Sequence, residues 1–287
     1  MTIRFLATLA TAALVAGCAS LPPTAAPSTT AAAVPLDHLP ALRGGYHRID
    51  SQAVGRPFHV YVRLPEDYDA SPGKTYPIVY LLDGDSLFPI LAASHLFIHY
   101  DDGLPDAIVV GIAYGGFGPV NRRSVDYMPP SPRTAPAAAG APAFAHFLKD
   151  EVIPLVERTY RADPTRRILF GQSLGGTFVL YSAFTDPDLF WARIASNPSI
   201  EPGRHIFFGT PAAAARPDLR LIIASGSRDR PRLREGALEW ARSWAARPPA
   251  PWVHRLIDID GGTHAADAPN AYRAALRWLF APQAATN

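Results

Sequence analysis

Gly171-Gln172-Ser173-Leu174-Gly175, with Gly176 behind it, sets one serine among small residues in the pattern of a sharp strand-to-helix turn that presents a nucleophile. Such a turn needs glycine wherever a side chain would collide with neighbouring backbone. A serine hydroxyl is a weak nucleophile at neutral pH unless a base takes its proton and a third group orients that base. His264, in Asp260-Gly261-Gly262-Thr263-His264, follows the last strand-like run and precedes the closing helix, which makes it the candidate base among nine histidines. Asp229, at the end of Leu221-Ile222-Ile223-Ala224-Ser225-Gly226-Ser227-Arg228-Asp229, is the candidate acid. Arg228, Arg230, Arg232 and Arg234 surround it, so the same stretch also reads as a solvated charge run, and Glu235 is the reserve acid.

Attack on a carbonyl builds negative charge on its oxygen, and backbone N–H groups are the usual stabilisers. One candidate is the Leu174 amide, directly after the serine. The second is expected from Asp83-Gly84-Asp85, with the Asp85 amide favoured and Gly84 as the alternative. Two carboxylates beside a glycine also raise the question of a metal, but no histidine cluster of ligand spacing accompanies them and turn chemistry is the simpler reading. No metal and no cofactor are called for.

These residues must be held by strands and helices in alternation. Ile168-Leu169-Phe170 reads as a buried parallel strand entering the turn, and Thr177 to Phe184 as the helix leaving it, stopped by Asp186-Pro187. His59 to Leu64 alternates as an early strand should. Pro77 to Leu82, Ala107 to Ile112, Ala192 to Ser196, Leu219 to Ser225 and Trp252 to Ile259 supply further strands. Helical spacing runs from Phe144 to Tyr160, with a kink expected at Pro154, and a closing helix covers Asn270 to Phe280. The order implies an α/β fold with a mostly parallel sheet flanked by helices. Pro129 to Pro142 reads as a surface loop, either a lid over the site or a passive insertion. The glycines of Gly111 to Gly118 lack the Lys-Ser or Lys-Thr of a phosphate cradle.

With 287 residues, 48% of them hydrophobic and 18% charged, the chain has enough length for one large domain and too much apolar content for disorder. The formal charge of +2 is carried by scattered arginines, with Lys74 and Lys149 the only lysines, which leaves no footprint for nucleic acid. Arg4 followed by the apolar Phe5 to Ala16 reads as an export signal. It ends in Leu14-Val15-Ala16-Gly17-Cys18, which resembles the lipobox of bacterial lipoproteins, and Cys18 is the sole cysteine. The expected organisation is a signal peptide over 1–17, an Ala/Pro/Thr-rich tether over 18–40 and a catalytic domain over 41–287. A lipidated Cys18 would place the domain in the cell envelope, at a membrane but without a spanning helix.

Several segments together resemble the putative-esterase family of α/β-hydrolases. They are Tyr80 to Asp85, Asn121-Arg122-Arg123-Ser124-Val125-Asp126-Tyr127-Met128-Pro129, Ile153-Pro154, Leu169 to Gly176, Ala195-Ser196-Asn197-Pro198-Ser199 and Gly226 to Asp229. Arg123-x-x-Asp126-Tyr127 and Asn-Pro-Ser are most similar to the ferric-siderophore esterase branch. The resemblance implies the α/β-hydrolase fold, Ser173 as nucleophile, His264 as base, Asp229 as acid, and the Asp85 and Leu174 amides as oxyanion hole. It also makes Arg123, Tyr127 and Asn197 candidate substrate-pocket residues, although Arg123 and Asp126 could instead pair to brace their own loop. After Pro-Ser the chain reads Ile200-Glu201-Pro202-Gly203-Arg204, where that branch commonly carries aromatic pocket residues.

The expected activity is hydrolysis of a small-molecule carboxylic ester through an acyl-enzyme. An acyltransferase or a peptidase would use the same serine, and a tethered binding module would keep the triad as a relic. Oligomeric state is left open. Mass spectrometry of the native N-terminal peptide should find an acylated Cys18, and an unmodified thiol there would remove the anchor.

Overall fold

Continuous apolar runs that do not alternate belong in the middle of a sheet covered on both faces. In the structure, a computed structural model that describes residues 39–132, 134–247 and 250–281, they take that place. The runs become β3 (Tyr76–Leu81), β4 (Ile108–Ala113), β5 (Ala162–Gln172), β6 (Ala192–Ser196), β7 (Leu219–Gly226) and β8 (Trp252–Ile259), all parallel to one another. Two antiparallel strands, β1 (Gly44–Ser51) and β2 (Arg56–Arg63), extend the sheet, whose order is β1-β2-β4-β3-β5-β6-β7-β8. The signal segment, Cys18 and all but the end of the tether lie outside the described residues. Among the described residues no helix is long and apolar enough to cross a membrane.

Helices α1 (Gly84–Asp102) and α8 (Ala268–Phe280) cover one face, burying Phe88, Leu91, Tyr272 and Leu276. The other face is covered by α3 (Ala141–His146), α4 (Ile153–Thr159), α5 (Leu174–Thr185) and α7 (Pro231–Ala245), with Phe144, Phe178 and Trp240 at its centre. Phe144 meets Phe178 edge-on at 5.0 Å, and Phe147 stacks on Phe58 at 4.3 Å, so β2 is tied to this layer by aromatic contact. Two short helices, α2 (Arg123–Asp126) and α6 (Arg204–Phe207), lie in connections.

The expected helix over 144–160 is present, but it does not simply kink at Pro154. Between α3 and α4 the chain widens into a π-helical stretch, Phe147–Val152, that ends just before the proline. Proline has no N–H for the carbonyl four residues back and its ring crowds that carbonyl, so a wider turn there relieves both problems. Beside the short α2 and α6, three longer elements had no sequence expectation. Strand β1 is a polar edge with little buried, and α7 is the arginine-rich stretch read as a charge run, whose inner face nonetheless buries Ala237, Trp240 and Trp244. Helix α1 carries Pro89 inside it and apolar residues around most of its circumference, so no periodic stripe announces it.

Register decides where the chemistry ends up. Leu81 pairs with Phe170, Gln172 with Ser196, Ser196 with Ala224 and Gly226 with Ile259, so five neighbouring strands finish side by side at their carboxyl ends. That edge is where ligand sites of open parallel sheets form.

Under α1 and α8 lies a buried polar group: His95 Nδ1 is 2.8 Å from the Tyr272 hydroxyl, and Arg63 donates to Asp106 at 2.6 Å. Burial pushes the His95 imidazole down to about 4, with Arg63 adding to the effect and Asp106, 3.8 Å from Nε2, opposing it. The unfolded chain therefore binds a proton at His95 between about pH 6.5 and about 4 while the folded chain does not. Stability from neutral His95 is present above that window and is lost as pH falls through it. Urea titrations at pH 7 and pH 5 should show this loss, and His95→Gln should flatten the dependence.

Candidate active site

Strand β5 delivers the chain to Ser173 with φ 59° and ψ −115°, a left-handed conformation that a serine adopts only under constraint. The constraint is crowding. A Cβ at Gly171 would stand 2.4 Å from the Gly175 carbonyl oxygen, and one at Gly175 would stand 3.1 Å from Asp83 Oδ2. Gly171 is thus required by contact with the backbone of α5, and Gly175 packs closely on the turn after β3.

The three residues expected to act together are brought together. Ser173 Oγ lies 3.0 Å from His264 Nε2, and His264 Nδ1 lies 2.8 Å from Asp229 Oδ1. A carboxylate only accepts, so Nδ1 carries the proton and Nε2 is left to accept from the serine hydroxyl. The Asp229 side chain is fully buried, whereas Ser173 and His264 are half-buried. Asp229 Oδ1 also accepts the Arg230 N–H at 2.6 Å, which fixes the carboxylate. Glu235, the reserve acid, is exposed on α7 and lines a cleft instead.

Asp83-Gly84-Asp85 is not an isolated turn. Gly84 opens α1, after Asp83 takes a left-handed conformation at φ 55°. Leu174 is the first residue of α5 and Asp85 the second of α1, and N–H groups in a helix's first turn have no acceptor in their own helix. Since β3 and β5 are paired neighbours, these two helix starts lie side by side at the sheet edge. The Asp85 carboxylate accepts the Tyr114 and Gly115 N–H groups at 2.7 and 2.8 Å, which ties the loop after β4 to α1.

The candidate pocket residues occupy other positions. Arg123 forks onto both oxygens of Asp83 at 2.7 and 2.9 Å and donates to the Gln172 carbonyl at 3.2 Å, joining the ends of β3 and β5. Its partner is therefore Asp83, not the Asp126 of its own loop. Asp126 instead pairs with Arg56 and accepts from the Tyr114 hydroxyl at 2.9 Å. Tyr127 is 0% exposed, and its hydroxyl accepts the Asp83 N–H at 3.2 Å. Asn197 is 1% exposed; its amide donates to the Thr263 and His264 carbonyls at 3.1 and 3.2 Å, and its oxygen accepts the Gly226 N–H at 2.8 Å. All three brace the edge.

Gln172, inside the pentapeptide, also donates to the His264 carbonyl. Sequence reading gave it no role, and its partner lies 92 residues away. The backbone of His264 is thereby gripped by side chains from the ends of β5 and β6. Burial pushes the Asp83 carboxyl up, against the Arg123 guanidinium that draws it down.

A family model described as "Putative esterase" matches residues 51–270, and the chain belongs to that family. Ferri-bacillibactin esterase BesA of Bacillus subtilis (strain 168) is 32% identical over 169 residues, which cover 53% of this chain and 57% of that protein. The siderophore triacetylfusarinine C esterase of Aspergillus fumigatus is 33% identical over 159 residues, covering 51% of this chain and 52% of that protein. The chain thus spans little more than half the length of these curated relatives. The solved structure of siderophore hydrolase EstB from Aspergillus nidulans superposes with a TM-score of 0.72 at 22% identity, over 82% of this chain and 94% of that one. That likeness establishes the α/β-hydrolase fold.

Arg123→Ala should lower the unfolding free energy by about 2–3 kcal/mol, because it leaves a largely buried carboxylate without its cation. In a double-mutant cycle with Asp83→Asn, the combined loss should fall well short of the sum.

Proposed function

We propose that the chain is a serine-dependent carboxylic ester hydrolase acting on a siderophore-type ester. The observation that carries the reading is the unbroken hydrogen-bonded line from Ser173 Oγ through His264 to the buried Asp229. Ser173 Oγ bonds to the ester carbonyl carbon as its proton passes to His264 Nε2, while Asp229 holds the Nδ1 proton and balances the imidazolium. The Leu174 and Asp85 N–H groups receive the oxyanion. Collapse breaks the bond to the leaving alcohol, which takes the proton from Nε2. Water then repeats the sequence on the acyl-serine and frees the acid.

Siderophore esters enter because the curated relatives are named for them, and a cleft of about 770 Å³, whose wall residue Ser199 bonds to the Ser173 backbone, has the volume for a bulky substrate. The sequence before residue 39 adds a proposed place of work: an exported envelope protein held at a membrane through lipidated Cys18.

Ser173→Ala should abolish turnover of a short-chain nitrophenyl ester, with a fall of about a thousandfold or more, and His264→Ala should match it. A fluorophosphonate should label the wild type and not Ser173→Ala. An unlabelled, folded wild-type protein would point to a binding module instead, and product esters formed with an added alcohol would point to acyl transfer.

A further inference from the structure

The cleft of about 770 Å³ lies between three segments that the triad does not use. Met128, Ser131 and Thr134 come from the Pro-rich stretch after α2, Ser199 and Ile200 from the stretch after β6, and Arg230, Arg232 and Leu233 from the start of α7. Two of its wall residues are joined to the triad through the backbone: the Ser199 N–H donates to the Ser173 carbonyl at 3.2 Å, and Arg230 follows the triad acid directly. The loop expected as lid or insertion is therefore a wall of this cleft.

Its charges are unevenly occupied. Arg204 is committed to Glu239 through both nitrogens. The side chains of Arg230 and Arg232 are exposed and have no carboxylate partner among the described residues. Both stand at the start of a 15-residue helix with no acidic residue in its first turn, where the helix dipole disfavours cations. Two uncompensated cations at an unfavourable position, facing a cleft with the apolar Met128, Ile200 and Leu233, fit a ligand that brings the missing negative charge. Glu235, on the same wall, and Glu201, in the stretch after β6, work against it.

We infer that this cleft holds the far arm of the ester and that Arg230 and Arg232 select substrates whose arm carries an anionic group such as a carboxylate. The inference rests on the ester-hydrolase reading and adds the substrate's charge.

The mono-4-nitrophenyl ester of suberic acid and the same compound with its free carboxyl methylated isolate that charge. Wild-type kcat/KM should favour the carboxylate by about tenfold, and added salt should shrink the ratio. Arg230→Gln with Arg232→Gln should bring the ratio close to one, whereas Glu235→Gln should raise it. A wild-type ratio near one, or a preference that survives in the double arginine variant, overturns the inference. Should the wild type hydrolyse neither compound, the hydrolase reading fails. The cleft is then decided by calorimetric binding of the two compounds to Ser173→Ala: tighter binding of the carboxylate upholds it, and equal binding overturns it.

Discussion

Everything at the catalytic edge depends on a backbone constraint shared by three adjacent strands. Among the described residues, the non-glycine residues with positive φ are Asp83, Ser173 and Asn197, and each immediately follows or closely follows the end of a strand: β3, β5 and β6. Left-handed backbone at such residues costs about 1–3 kcal/mol apiece and persists only where surrounding structure over-determines it. Here the over-determination is visible. Arg123 clamps Asp83 to the Gln172 carbonyl, the Ser173 N–H is held by the Ser196 carbonyl at 2.9 Å, and the Asn197 N–H by the Ala224 carbonyl at 2.8 Å. Each turn is fixed by its neighbour, so the strain is borne by the sheet as a whole.

The histidine depends on the same edge. His264 stands in the loop after β8, and its carbonyl is held by Gln172 and Asn197. The imidazole thus takes its position from the strands that carry the serine, while Asp229 sets its tautomer from the adjoining strand β7. Pre-organisation of this kind leaves little to rearrange when charge develops.

Much of this was legible beforehand because parallel strands announce themselves. Buried runs such as Ile168-Leu169-Phe170 have no amphipathic alternative, and a glycine-flanked serine after one of them has few uses. Ser173, Asp229 and His264, chosen by type and order, lie within hydrogen-bond reach along one line. The bracing was not legible: Arg123 to Asp83 spans 40 residues, Asn197 to His264 67, and nothing local distinguishes a buried clamp from a pocket residue. Helix α1 was hidden by its uniform apolarity and by Pro89, and α7 by an arginine run that masked two buried tryptophans. The polar edge strand β1 offered only Tyr46 and Ile49 as apolar signal.

The cleft is assembled differently from the catalytic line. Its walls are the stretches after α2 and β6 and the first turns of α7, all of them connections or helix ends, whereas the serine, acid and histidine hang from paired strands. Connections accept insertions and new side chains that a strand register does not. Change can therefore be written into three surface segments while the line from Ser173 to Asp229 is left untouched.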